Sequence, residues 1–334
     1  MVTVLLEGLG AVGVRAARQL VDTPGVDAVL VAGRSAVRRA EMAASLGDRA
    51  EAMELGPDDP LPVGVDAVAV ALPAPLVAGR AERALAARVP FAATLDDTDA
   101  LDVVLELDEP ARTAGLVVAP GCGLAPGLAD VLARHAADAL DAVDEIHVAR
   151  AGSAGPASTA ALRRALRDPV VEWRDGDWRE ERHPNQELVW FPEPIGAREC
   201  SPVTVGAALL VHAFPGVQRV TIRLAQPLDR RFAWPGRRGP DGGWGSARVE
   251  VWGWRGTTRE SMVYGVIDRT AIAAGTVLAL TAARLAGVAP GLASRSGPSA
   301  GVHGLAALVE PVPFLAELAR RGVKAAVFEG VAVA

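Results

Sequence analysis

Lysine is almost absent from this sequence: its 34 cationic residues are arginines except for Lys324, close to the C-terminal end. Chemistry through a lysine Schiff base is therefore disfavoured. Cysteine is nearly as scarce. Cys122 and Cys200 are too few for a disulfide framework, and neither falls in a Cys-x-x-Cys or Cys/His spacing, so no metal site is expected. Two free thiols suit a reducing compartment, and a cytoplasmic protein is expected. Cationic charge is not in excess, because 40 acidic residues leave a net charge of -6 and no basic footprint for a nucleic-acid backbone or an anionic membrane. Long apolar runs are missing too. The run from Ala271 to Ala283 is too short to span a bilayer and continues into Arg284, so it reads as a buried helix. Met1 to Leu6 passes straight into a strand-like run, without a basic segment or a small-residue cleavage site. A small molecule is the partner these absences leave.

What is present is apolar bulk, since half of the 334 residues are hydrophobic and the chain is long enough to build two cores. Val2 to Leu6, Asp27 to Ala32, Asp66 to Leu72, Phe91 to Thr94 and Leu116 to Ala119 read as buried strands. Helical spacing runs to about Val21, from Ala36 to Leu46 and from Leu76 to Arg88. That alternation predicts an α/β fold whose N-terminal part is a doubly wound parallel sheet of the Rossmann type, with right-handed crossovers. After Pro126 the pattern changes. A helix to about Ala139 and a strand from Glu145 to Arg150 precede longer strands joined by loops rich in Gly, Pro and Trp. Val170 to Trp173 and Trp178 to Arg182 flank Asp175-Gly176, a hairpin signal. Val217 to Ala225, Ala247 to Trp254 and Thr257 to Val266 predict an α+β second domain with a largely antiparallel sheet. Arg230 to Ser246 is too dense in Gly and Pro for regular structure. Asp268 is placed to cap a helix from Arg269 to Leu285. A helix from Pro313 to Arg321 and a strand from Lys324 to Phe328 are expected to rejoin the first domain. The expected division is 1–123 with 304–334 for dinucleotide binding, and 124–303 for substrate binding and dimerisation.

Gly8-Leu9-Gly10-Ala11-Val12-Gly13 is a G-x-G-x-x-G placed after the first strand, where it opens the first helix. There Gly8 allows the tight turn, Gly10 lets the backbone approach a pyrophosphate, and Gly13 lets helix and sheet pack closely. The helix N-terminus at Ala11 and Val12 offers N–H groups to the anion. An NAD site usually places Asp or Glu at the end of the second strand to bind the ribose 2′-hydroxyl, but here Gly33 is followed by Arg34 and Ser35. Losing the carboxylate removes repulsion toward a 2′-phosphate, and Arg34 offers a planar donor fork, with Arg38 one turn further on. NADP (NADPH) is expected as cofactor ahead of NAD, and Arg39 is assigned to a solvated helix face. Leu72, Pro73 and Gly121 should border the crevice that receives the nicotinamide.

From Gly121 the chain reads GCGLAPGLADVLA: a glycine turn, a proline suited to the first helical position and an apolar helix. Together with VLLEGLGAVG, VAGRS, DAVAVALPAP and the late YGVIDRTAIAAG, this segment resembles the saccharopine dehydrogenase-like family, over most of the chain. The resemblance implies an NADP-linked oxidoreductase acting on a C–N bond, an imine or secondary amine, of an amino-acid-like substrate. It also implies a second domain that holds the substrate and forms a homodimer interface. One stretch departs from the family: many relatives carry a Tyr-Val-Asp-like run where this chain has Phe91-Ala92-Ala93, so their Asp becomes Ala93. Asp96 and Asp97 lie just beyond and either replace it or cap a local turn. An enoyl (C=C) reductase, which some relatives resemble, and a non-catalytic NADP-binding sensor are the alternatives.

Few side chains can serve as a proton donor or substrate contact. Tyr264, the sole tyrosine, and Asp96 are the candidates, with a half-buried strand aromatic as the structural alternative for Tyr264. His212 sits in an apolar run and is expected in the core, while His183 beside Pro184 is expected in a surface loop. Arg150 and Arg198 could clamp a carboxylate, although surface roles are preferred for both. Cys122 stands in a Pro-Gly-Cys turn that also resembles the nucleophile loop of acylating reductases, and a structural thiol is the favoured reading. The tryptophans between Trp173 and Trp254 are expected to line an aromatic pocket or to pack in hairpins.

Overall fold

The computed structural model describes residues 1–56, 58–182, 185–226, 243–288, 300–323 and 325–328. β1 (Thr3–Glu7) is buried along its whole length because both faces of its sheet are covered, so it reads as a run rather than an alternation. α1 (Ala11–Val21), β2 (Ala28–Ala32), α2 (Ala36–Leu46), β3 (Ala50–Met53), β4 (Ala67–Val70), α3 (Val77–Ala86) and β5 (Phe91–Ala93) follow, then α4 (Thr98–Leu105), α5 (Asp108–Ala114) and β6 (Val117–Ala119). All neighbours pair in parallel, in the order β3-β2-β1-β4-β5-β6, and the order reverses between β1 and β4. This is the expected doubly wound sheet. Glu7 ends β1 3% exposed and forms an ion pair with Arg80 of α3, Nε to Oε2 2.8 Å. Arg80 also donates to the Gly56 carbonyl at 3.1 Å and ties α3 to the chain beyond β3.

The second sheet takes α6 (Leu128–Ala137), β7 (Ala142–Ala151), α7 (Pro156–Ala165), β8 (Val170–Arg174), β9 (Asp177–Glu181), β10 (Glu187–Trp190), β11 (Ala197–Val203), α8 (Ala207–Ala213) and β12 (Arg219–Ala225). It continues through β13 (Trp244–Arg255) and β14 (Thr258–Arg269) into α9 (Thr270–Leu285). β15 (Gly301–Val302), α10 (Leu305–Leu308), α11 (Pro311–Arg320) and β16 (Ala325–Phe328) complete the described chain. The path is β10-β11-β12-β7-β13-β14-β16, with the β8–β9 hairpin on β12; only β12 and β7 are parallel. Asp175 and Gly176 take φ values of 56° and 74° in that hairpin's turn, as the Asp-Gly signal requires.

Three expectations are corrected. β16 pairs with β14 in the second sheet rather than rejoining the first, whereas the helix before it does return, with Arg321 at the end of α11 donating to Gln19 and Thr23. β15, which pairs with β6, and α9, which lies on α1, return as well. The α1–α9 crossing depends on Gly275, where an added Cβ would lie 2.6 Å from Arg15 Cβ and 2.8 Å from the Val12 carbonyl. Asp268 does not cap α9; it belongs to β14, and its carboxylate accepts from the Arg269 N–H at 2.6 Å. The loop expected over Arg230 to Ser246 is shorter, because β13 starts at Trp244; residues 227–242 lie outside the described residues.

Candidate functional site

A cavity of about 440 Å³ opens at the reversal between β1 and β4, where a doubly wound sheet offers its crevice. Gly8, Leu9, Gly10, Ala11 and Val12 form one wall and Leu72 and Pro73 another, while Gly33, Arg34, Ser35 and Arg38 close the far end. The glycines divide the work. Gly8 has φ +101°, and a Cβ there would sit 2.3 Å from the Ala71 carbonyl; one at Gly13 would sit 1.6 Å from the Gly8 carbonyl. Gly10 differs, since an added Cβ meets nothing within 4 Å. The residue at the start of α1 thus leaves open space in the cavity, and no side chain caps the helix and no acid lies in its first turn. Those features fit the pyrophosphate of a dinucleotide. Arg34 and Arg38 are exposed and, among the described residues, lack an acidic partner. Ser35 is the cap of α2, accepting from the Arg38 N–H at 3.3 Å. Arg39 is not on a solvated face. It is 8% exposed, donates to the Gly33 carbonyl at 2.7 Å and pairs with Glu54 at 3.2 Å, which braces the end of β2.

At the other end the cavity is bounded by Thr94, Leu95, Asp96, the Gly123–Pro126 turn, Arg150, the first turn of α7, Thr270 and Ala274. Asp97, not Asp96, is the capping residue: it accepts from the Ala100 N–H at 3.1 Å and pairs with Arg164 at 2.6 Å. Asp96, with a 26% exposed side chain, accepts from the Ser158 hydroxyl at 2.7 Å and lies 3.7 Å from Arg150 Nη2. Arg150 is 4% exposed, so its expected surface role is corrected. Its Nη1 donates to the Ala125 carbonyl, and its Nε has no hydrogen-bond partner among the described residues. Burial lowers its pKa, and the Asp96 charge opposes that shift.

Of the sequence-derived cofactor residues, Gly8, Gly10, Ala11, Val12, Gly33, Arg34, Ser35, Arg38, Leu72 and Pro73 meet on the cavity; Gly13 and Gly121 lie behind it. Of the catalytic candidates only Asp96 reaches it. Tyr264 packs its ring against His135 of α6, centroids 5.2 Å apart, and does not line the cavity. None of the described tryptophans does either: Trp173 and Trp178 make an edge contact at 5.2 Å, and Trp178, Trp190, Trp244 and Trp254 are exposed. His212 is exposed rather than in the core, Arg198 donates to the Gln226 carbonyl at 2.7 Å, and His183 lies outside the described residues. The residues at this end of the cavity that were missed from the sequence include Ser158, Thr270 and the α7 turn. A Gly-Pro pair opening a helix just after a strand-end arginine is the signal that could have found that turn.

Cys122 is fully buried, with its Sγ 3.1 Å from the Ala119 carbonyl, and burial pushes its thiol up to about 12. An acylating nucleophile needs the opposite shift and an open approach. Cys122→Ala is therefore expected to cost about 1 kcal/mol of stability and to leave turnover unchanged. Complete loss of turnover with intact cofactor binding would reinstate the thioester route. Asp130 fixes the same turn from below by accepting the Gly127 N–H at 3.0 Å, and burial pushes its carboxyl from 3.8 up to about 7. Because the folded state holds this proton more tightly than the unfolded chain, its contribution to stability is full below pH 4 and falls as pH rises toward 7, by up to about 4 kcal/mol. Asp130→Asn keeps the acceptor and removes the charge. Denaturant unfolding should show the variant gaining stability over the parent at pH 8 and not at pH 4; an equal difference at both would contradict the assignment.

The doubly wound sheet, with a glycine turn opening on its switch-point cavity, defines a Rossmann-type fold joined to a mixed-sheet partner. More particularly, the fold is saccharopine dehydrogenase-like. The apo saccharopine dehydrogenase (L-Glu forming) of Saccharomyces cerevisiae matches with a TM-score of 0.70 at 15% identity, over 98% of this chain and 100% of that one. C. glutamicum DAP dehydrogenase in complex with DAP matches at 0.51 and 16%, over 96% and 99% of the chains. An amine dehydrogenase from Mycobacterium smegmatis matches at 0.51 and 12%, over 92% and 96%. No family model and no curated protein matches the sequence, so the likeness is one of fold.

Proposed function

We propose that this chain is an NADP-dependent oxidoreductase that transfers hydride to or from a C–N bond of an amino-acid-like substrate. The observation that carries the reading is one continuous cavity, with the glycine turn and two arginines at one end and Asp96 with Arg150 at the other. Bound NADPH would supply the hydride. The first turn of α1 holds the pyrophosphate, Gly10 admits it, and Arg34 and Arg38 pair with the 2′-phosphate. Asp96 accepts a hydrogen bond from the substrate nitrogen, and the Ser158 hydroxyl anchors Asp96 on one oxygen. Leu72, Leu95, Leu124 and Pro126 keep water from the space between the two ends. The fold neighbours named for saccharopine, DAP and amine dehydrogenation support a C–N substrate over an enoyl one.

A homodimer belongs to this reading. Arg219, Glu145, His147, Glu250, Arg248 and Trp252 form half-buried, mutually paired rows on the face of the nine-stranded sheet away from α6, a surface suited to a second copy. Two free, buried thiols are consistent with a cytoplasmic location. The test is NADPH oxidation in the presence of amino acids paired with 2-oxo acids and simple aldehydes. The reading expects amine-dependent oxidation with NADPH preferred to NADH. Tight NADPH binding with oxidation by no such pair favours the sensor.

A further inference from the structure

We propose that Asp96 is a built-in stand-in for the substrate's carboxylate: on binding, the substrate carboxylate takes Asp96's place on Arg150, and the released Asp96 takes the substrate nitrogen. The exchange rests on the reading of the cavity as a cofactor and substrate site, and assigns what discriminates at its inner end. Arg150 is nine-tenths buried and lines the cavity, yet its donors are incompletely used. Its Nε is unpartnered among the described residues, and the 3.7 Å from Nη2 to Asp96 is an ion pair beyond hydrogen-bond reach. A guanidinium this buried accepts an anion readily, because its own charge is otherwise poorly compensated.

A second set of donors lies at the same end of the cavity. α7 is ten residues long, its N-cap Gly155 offers no side chain, Pro156 occupies its first position, and no acid lies in its first turn. The N–H groups of Ala157 and Ser158 have no intrahelical partner, and Gly155 to Ser158 line the cavity. Arg150, the Ser158 hydroxyl and the start of α7 thus line one end of the cavity beside a single acid, which fits a carboxylate. Asp96, partly exposed and anchored on one oxygen by Ser158, is the acid of this end and fits an ammonium or iminium nitrogen.

Charge explains why the two events are coupled. A zwitterion brings an anion to Arg150 at the moment Asp96 leaves it, and brings a cation to Asp96, so neither the buried guanidinium nor the carboxylate is left alone. A carboxylic acid without nitrogen must compete with Asp96 and leaves it uncompensated; an amine without a carboxylate leaves Arg150 uncompensated. Asp96 is therefore a specificity-determining residue that penalises ligands carrying only one of the two charges.

The test uses the full chain saturated with NADP+, and calorimetric titration with racemic 2-aminobutyrate, butyrate and 1-propylamine, which differ only in the charged groups. The parent protein should bind 2-aminobutyrate at least tenfold more tightly than either single-charge probe. In Asp96→Asn, butyrate should bind at least tenfold more tightly than it does to the parent, while 2-aminobutyrate weakens, so the order reverses. In Arg150→Met, propylamine should gain and both carboxylates should lose. If Arg150→Met does not fold, the Asp96→Asn titrations decide. Unchanged or weaker butyrate binding in Asp96→Asn overturns the exchange, as does a parent protein that holds NADP+ and prefers neither charge combination. Failure of the parent to bind NADP+ at all sinks the underlying reading instead.

Discussion

Gly10→Val is expected to lower NADPH affinity by at least about 100-fold, or about 3 kcal/mol, while leaving the protein folded. Gly10 has φ -83°, a conformation open to any residue, and its added Cβ meets nothing within 4 Å, so the fold does not resist the side chain. Valine is a poor helix N-cap and should cost about 1 kcal/mol or less, a shift of a few degrees in the unfolding midpoint. Its two methyls would stand where the pyrophosphate must approach the α1 N–H groups. The opposite outcome is expected three residues on. An alanine Cβ at Gly13 would sit 1.6 Å from the Gly8 carbonyl, a backbone atom that cannot step aside, and Gly13→Ala should lose stability by about 4 kcal/mol or fail to fold. Nicotinamide fluorescence titration and thermal unfolding separate the two. Wild-type NADPH binding by a folded Gly10→Val protein would move the dinucleotide away from the glycine turn.

Arg34→Ala should weaken NADPH binding by about 10-fold to 150-fold, the worth of a charged hydrogen bond of about 1.5–3 kcal/mol, and leave NADH nearly unaffected. Only NADPH carries a 2′-phosphate for the guanidinium to pair. Arg34 is exposed, so the effect belongs toward the lower end and should shrink as salt is added. Arg38, on the same cavity wall, would retain part of the phosphate contact in the variant. Binding constants for both cofactors at two ionic strengths check it, and equal weakening of NADH and NADPH would refute the phosphate role.

Backbone-driven features were legible in the sequence. Ala36–Leu46 is a helix over the residues read from its spacing because Ser35 caps it, and Asp175-Gly176 turns because both residues tolerate positive φ. β3 escaped detection for an equally local reason. Ala50-Glu51-Ala52-Met53 is a half-exposed edge strand with neither a β-branched residue nor an apolar run, and it exists because β2 offers it a partner. The site's side chains were harder. Arg39 and Arg150 look like surface cations because periodicity reports which face an element buries, and says nothing of a single long side chain folded back onto a carbonyl or a distant acid. Arg150 is buried because the end of β7 meets the loop after β5, an encounter made by tertiary folding alone. Tyr264 illustrates the converse: a lone tyrosine near a family-like segment invited a catalytic role, but its alternation on β14 turns it toward α6.

The central claim is most directly tested by the fate of deuterium from NADPH labelled at nicotinamide C4, on each face in turn, when the protein turns over amino acids with 2-oxo acids or aldehydes. Deuterium on the carbon bonded to nitrogen in the amine product, absent with Gly10→Val, is the predicted result. Deuterium delivered to the carbon of an enoyl acceptor, or retained on bound NADPH with every amine and carbonyl pair, would contradict it.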